Sequence, residues 1–268
     1  MPKKTVRGAA WGAAVVAVTL VAGCSSTPKD ETAGMSTEKL YAEAKDEAAV
    51  GNYERAAKFY ERLEGRAAGT LLSQQAQLEL AYVYYRSNEK AQALATIDRF
   101  IKLHPSSPAL DYALYLRGII NFNDNLGLFG NLARQDLSER DQQASKDAFQ
   151  SFKQLVEQFP ASTYAPDARL RMNYIVNALA AYEVHVARYY YRRGAYLAAA
   201  NRAQQAVLDY QQSPAIEEAL YLMSRSYDRL GLTQLRDDAE RVLKTSFPDS
   251  GYLKGGVAKK DEPWWKLW

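Results

Sequence analysis

Few side chains in this sequence are of types that do covalent or metal chemistry, and their spacing argues against most of it. There are two histidines, His104 and His185, and one cysteine, Cys24. The histidines are far apart, and neither has a neighbour at metal-ligand spacing. His104 precedes Pro105, where capping of a helix C-terminus accounts for it. His185 falls in a tyrosine-rich helical run, as a surface or packing residue. Gly127 and Gly130 flank Leu128-Phe129 without leading into Lys-Ser or Lys-Thr, so they do not make a phosphate loop. The acidic pairs Asp237-Asp238 and Glu217-Glu218 are adjacent on helical stretches, where neighbouring side chains diverge. Glycoside hydrolysis needs two carboxylates facing each other across a cleft. The sequence therefore predicts no catalytic residue, no metal and no cofactor.

Cys24 has a different chemistry open to it. A lone cysteine lacks an intramolecular disulfide partner. Met1–Arg7 is basic, Gly8–Ala22 is an uncharged apolar run of signal-peptide length, and the run closes on Leu20-Val21-Ala22-Gly23-Cys24. This resembles the lipobox of bacterial lipoproteins, which implies cleavage before Cys24 and acylation of that residue. Several acyl chains anchor durably, at about 0.8 kcal/mol per buried CH₂. Ser25 stands where an Asp would retain a lipoprotein at the inner membrane, so the resemblance implies an outer-membrane anchor with the body in the periplasm. Removing Lys3, Lys4 and Arg7 from 34 basic residues leaves 31 against 31 acidic ones. The basic excess is then a property of residues 1–23, and nothing global points to nucleic acid. Residues 24–35, rich in Ser, Thr and charge, read as a flexible tether.

The elements that would follow the anchor are helices. With 15 Gly and 9 Pro in 268 residues, breakers are sparse, and apolar residues recur at helical spacing beyond Ser36. Phrases repeat as well. Gly51-x-Tyr53-x-x-Ala56 returns as Gly194-x-Tyr196-x-x-Ala199. Ala76, Leu80, Ala81, Tyr84 and Asn88 match Ala219, Met223, Ser224, Tyr227 and Gly231, with Ala113 and Gly118 in register. His104-Pro105-Ser106-Ser107, Phe159-Pro160-Ala161-Ser162 and Phe247-Pro248-Asp249-Ser250 share a hydrophobe, a proline and a delayed serine, and Tyr210-Gln211-Gln212-Ser213 is a degenerate copy. The proline ends one helix, and the serine is expected to cap the next.

Small residues at a helix crossing, aromatics filling the gap and a terminal proline are the marks of tetratricopeptide repeats. The expectation is an all-α solenoid of about five helix-turn-helix repeats over residues 36–250. The third repeat would carry an insertion near Asn123–Ser138, and the fourth an extra helical stretch near Pro166–Ala181. Most tyrosines should fill repeat positions as core. A minority on the groove of the stack could hold a peptide.

These repeats, the lipobox and several runs together resemble one family, the BamD lipoproteins of the outer-membrane β-barrel assembly machinery. The runs include Ser73-Gln74-Gln75-Ala76-Gln77-Leu78, Ile97-Asp98-Arg99-Phe100-Ile101, Ser138-Glu139-Arg140-Asp141, Tyr189-Tyr190, Arg193-Gly194-Ala195 and Asn201-Arg202. The resemblance implies a non-enzymatic scaffold that binds a BamA-like barrel protein through its periplasmic POTRA domains, alongside other lipoproteins of the complex, and receives unfolded outer-membrane proteins. It implies that Arg202, with Asn201, Arg193 and Tyr189, belongs to the face that meets a POTRA domain. A guanidinium fork suits the carboxylate expected there, and Arg202→Glu should loosen that contact without unfolding the chain. It also implies that the N-terminal repeats face the client, with Arg99, Tyr84 and Tyr53 as candidates for holding an extended, aromatic-ended segment and its carboxylate. Arg66-Ala67-Ala68-Gly69-Thr70-Leu71-Leu72 departs from the aromatic and proline-rich turn frequent in the family, so the first groove should be shaped differently here.

Residues 251–268 lie beyond the repeat pattern. Three of the four tryptophans, Trp264, Trp265 and Trp268, crowd the end. They suit a membrane interface, or docking on a partner or on the solenoid, or simply a free end. Two rival readings remain open: another lipid-anchored repeat adaptor that docks peptidoglycan hydrolases, and a periplasmic enzyme built on a helical solenoid. A deep pocket with a buried titratable cluster would favour the second.

Overall fold

The computed structural model describes residues 31–122 and 142–255. Cys24, the third-repeat insertion and the three terminal tryptophans lie outside them. The described residues form eleven helices: α1 (Thr37–Ala49), α2 (Tyr53–Arg66), α3 (Leu71–Arg86), α4 (Lys90–Leu103), α5 (Leu110–Asn121), α6 (Gln142–Gln158), α7 (Ala165–Arg192), α8 (Tyr196–Asp209), α9 (Ile216–Arg229), α10 (Thr233–Ser246) and α11 (Gly251–Gly255). Each helix of the series α1 to α10 packs mainly on the next. Pairing them gives five helix-turn-helix repeats, each touching its neighbours, as in a solenoid. No helix among the described residues is long and apolar enough to cross a membrane.

The turn inside a repeat is set by one residue. Gly51, Asn88, Gly194 and Gly231 have φ of 82°, 65°, 79° and 72°. Each sits just past a helix end and closes it with paired backbone bonds. Gly51 N–H donates to Ala48 O and Asn52 N–H to Glu47 O; Gly231 and Leu232 do the same to Asp228 and Tyr227. That is a Schellman closure, which favours glycine or asparagine at the left-handed position. Two turns upstream of these residues stand Ala44, Ala81, Ala187 and Ser224, none more than 2% exposed. Small side chains there let the two helices of a repeat cross closely. In the third repeat the position is Gly118, where an added Cβ would lie 2.6 Å from Phe152 Cδ1 and 2.7 Å from Cζ.

The second helix of each repeat buries a matching triplet. Ala56-Tyr60-Leu63, Ala93-Ile97-Phe100, Ala148-Phe152-Leu155 and Ala199-Ala203-Ala206 are all at or below 1% exposure. In α10 the triplet becomes Arg236-Glu240-Leu243. Leu243 is still buried against α9. Arg236 instead pairs with Asp228 and Asp237, and Glu240 with Lys244. Both polar residues face α9, Glu240 also accepting from the buried Ser224 hydroxyl at 3.2 Å, so polar contacts replace apolar ones inside the last repeat.

Two details differ from the sequence reading. The delayed serines bond one step earlier than helix caps. Ser107, Ser162 and Ser213 Oγ accept from the N–H of Ala109, Tyr164 and Ala215, which are themselves the N-cap residues of α5, α7 and α9. They fold the turn, while the helix-capping positions make no side-chain bond; only Ser250, bonded by Tyr252 N–H at the head of α11, acts at a helix start. Ser162 also donates to Asp111 of α5 at 2.7 Å, tying the turn to the repeat before it. The extra stretch of the fourth repeat is not a separate helix. Pro166 sits in the first turn of α7, where its missing N–H costs nothing, and the helix runs 28 residues to Arg192.

The tyrosines are mostly half-buried. Tyr60 and Tyr227 are buried, while Tyr174 and Tyr189 are exposed; the remaining described tyrosines lie between. A phenol packs its ring and keeps its hydroxyl within reach of a partner. Burial, then a hydrogen bond to Asp167 at 2.7 Å, pushes the Tyr115 hydroxyl up to about 12, and burial with the nearby Glu218 pushes Tyr252 up to about 12. Burial first also raises Tyr60, Tyr84 and Tyr112. A folded-state value above the unfolded one, near 10, gives stability that is complete below pH 10 and is lost as pH rises toward 12. Thermal midpoints should therefore fall across that window together with the rise of tyrosinate absorbance. Tyr115→Phe should flatten the fall, and an unchanged slope would remove Tyr115 from the account.

Candidate binding surfaces

Residues 31–35, the end of the predicted tether, lie against the first repeat. Arg66 at the end of α2 donates to the carbonyls of Met35 at 2.6 Å and Thr32 at 2.7 Å, and Arg55 pairs with Glu31 at 3.1 Å. A turn of unusual composition follows α2. Gly69 takes a φ of 81°, and Thr70 caps α3 by accepting from Ser73 N–H at 3.2 Å.

Beside that turn lies a pocket of about 560 Å³ at the seam of the first two repeats. Glu61, Glu64, Gly65 and Ala68 line it from α2 and the turn that follows; Gln92, Ala95, Thr96 and Arg99 from α4; Leu80 and Tyr84 from α3. Small residues facing each other on two second helices keep the seam open. Two of the three predicted client residues, Tyr84 and Arg99, meet here. Tyr53 does not line the pocket; its ring lies under the Arg86 guanidinium at 5.2 Å. The Tyr84 hydroxyl donates to Glu61, and burial, then this bond, pushes its ionisation up. Arg99 Nη2 donates to Glu64 Oε2 at 2.9 Å, and Gln77 Nε2 to Glu64 Oε1 at 2.7 Å. Sequence reasoning missed Glu61 and Glu64. Their spacing of three on one helix, next to Gly65 and Ala68, was the available signal.

At the other end, the four predicted partner residues divide into two groups. Tyr189 is 47% exposed, its ring packs edge-on against Tyr190, and the Arg193 guanidinium lies 5.4 Å over it. Asn201 and Arg202 are exposed on α8. Arg202 Nη1 donates to Glu183 of α7 at 3.1 Å, with 46% of the arginine side chain exposed against 9% for the glutamate. The guanidinium is thus anchored through one nitrogen and open on its other side. The acidic pairs diverge as expected: Glu218 takes a two-pronged bond from Arg188 at 2.7 Å, while Asp237 and Asp238 bind Arg236 and Arg241 separately.

Neither histidine joins a site. His104 ends α4, its N–H bonded to Phe100 O and its ring 5.1 Å from that of Phe100. His185 is half-buried in α7. No group of three metal-ligating side chains occurs among the described residues.

Comparison with known proteins adds identity to this geometry. Residues 33–242 match the YfiO family model, described as an outer membrane lipoprotein. A Neisseria meningitidis serogroup B protein named outer membrane protein assembly factor BamD is 49% identical over 237 residues, covering 88% of this chain and 89% of its own. Proteins of the same name from Xylella fastidiosa and Vibrio cholerae are 37% and 34% identical, covering 88% and 86% of this chain and 81% and 95% of theirs. With a family model spanning residues 33–242 and relatives this similar over most of their length, the chain belongs to the YfiO family of outer membrane lipoproteins, the family of the BamD assembly factors.

Proposed function

We propose that this chain is a non-enzymatic, lipid-anchored scaffold for assembly of outer-membrane proteins, held on the periplasmic face of the outer membrane by acylation of Cys24. The identity of 49% over 88% of the chain to a named assembly factor carries this reading. In it, the repeats toward the C-terminus bind a POTRA domain of a BamA-like barrel protein. The half-exposed Arg202 beside Asn201, and the Arg193–Tyr189 stack, are suited to that task, because arginine and tyrosine are the residue types in which interface binding energy concentrates. The seam pocket with Tyr84 and Arg99 receives segments of unfolded outer-membrane proteins, while Tyr53 supports the first repeat. Trp264, Trp265 and Trp268 touch the membrane interface or a partner.

The test is affinity purification from detergent-solubilised outer membranes, read by mass spectrometry. A POTRA-bearing barrel protein and further lipoproteins should co-purify. Recovery of peptidoglycan hydrolases with no barrel protein would overturn the assignment. A chain lacking residues 261–268 should recover less barrel protein, and equal recovery would exclude a role for the tryptophans in the complex.

A further inference from the structure

The seam pocket has a charge pattern opposite to the one its arginine suggests. Arg99 is the cation at its wall, and it is already matched by Glu64 at 2.9 Å. Glu64 in turn is held in place by Gln77 through its other oxygen, and the half-exposed Arg99 matches its charge. Glu61 is different. Its carboxylate accepts from the Tyr84 hydroxyl, a neutral donor, and no salt bridge to it occurs among the described residues. Glu89 adds negative potential at Tyr84, opposed by Arg99. The pocket therefore presents one uncompensated negative charge beside the apolar lining residues Leu80, Ala68 and Ala95. Apolar lining beside an unpaired carboxylate suits a cation carried on an aliphatic stem. The volume of about 560 Å³ leaves room for such a side chain and the backbone that carries it.

We infer that the pocket selects a lysine or arginine side chain of a partner polypeptide. The stem lies along Leu80 and Ala68, and the cation meets the Glu61 carboxylate beside Tyr84. Arg99 orders Glu64 and does not capture a client carboxylate. This rests on the reading of the seam as the client-receiving site and names the chemical class received there.

Binding of fluorescent peptides to the full acylated chain in detergent tests it. The probes are a short apolar peptide with one central lysine and the same peptide with norleucine in its place. The lysine peptide should bind about five-fold tighter, about 1 kcal/mol. Glu61→Gln keeps an oxygen to accept from Tyr84, so the fold is retained. It should bring the two peptides together by weakening the lysine peptide about five-fold. Equal binding of both peptides to the unmodified chain overturns the charge selection and leaves the seam reading intact. A lysine preference that survives Glu61→Gln also overturns it, because the cation then sits elsewhere. Binding of neither peptide overturns both.

Discussion

Gly118→Ala should destabilise the chain by about 1–3 kcal/mol, the cost of forcing a methyl into a packed core. Three atoms of the Phe152 ring lie within 2.7 Å of where the new Cβ would be, and Phe152 is fully buried. The ring has nowhere to retreat. It also contacts Tyr115 and Phe122, at centroid distances of 6.1 and 6.3 Å. Phe152→Ala should cost more, about 3–5 kcal/mol, because it leaves a cavity at the junction of α5, α6 and α7. The pair makes a sharper test than either alone. In Gly118→Ala/Phe152→Ala the methyl fills part of the space that the ring vacates, so the double variant should be more stable than the sum of the single losses implies. Urea midpoints measure all three. Additive losses would mean that Gly118 and Phe152 do not share one close crossing.

This crossing shows what the sequence made legible. Gly118 stood in register with Ala81 and Ser224, so the small residue was legible; the large Phe152 facing it was not, because Ala203 holds the matching place in the fourth repeat. The left-handed turns were legible for a similar reason: Gly51, Gly194, Gly231 and Asn88 are the residue types that tolerate positive φ. Periodic, local constraints leave traces in a single chain. The pocket did not. Tyr84, Arg99 and Tyr53 looked alike as groove candidates, but only the packing of α2 against α3 and α4 decides that Tyr84 meets Glu61 while Tyr53 sits beneath Arg86. The turn serines misled in a smaller way. A serine shortly before a helix fits both a cap and a turn bond, and the two differ by one or two residues of register that the sequence does not specify.

The contact that was least legible changes how the partner face must be tested. Arg202 and Glu183 are 19 residues apart on different helices, and nothing in their spacing pairs them. Glu183 is 7% exposed, and Arg202 is the cation that bonds it. Arg202→Glu would set two carboxylates against each other, one of them buried, and should cost about 2–4 kcal/mol of stability. Weaker partner binding in that variant would then report a damaged fold as readily as a lost contact. Arg202→Glu therefore cannot serve as the clean probe that the sequence suggested. Arg202→Glu combined with Glu183→Arg restores the pair in reverse and should recover most of the lost stability, with urea midpoints near the unmodified chain. The reversed pair still places a carboxylate at the exposed position on α8. If that position meets an acidic partner surface, the double variant should remain folded yet lose at least about ten-fold in affinity for the POTRA region, about 1.4 kcal/mol. Full affinity in a folded double variant would restrict Arg202 to holding Glu183 and remove it from the interface.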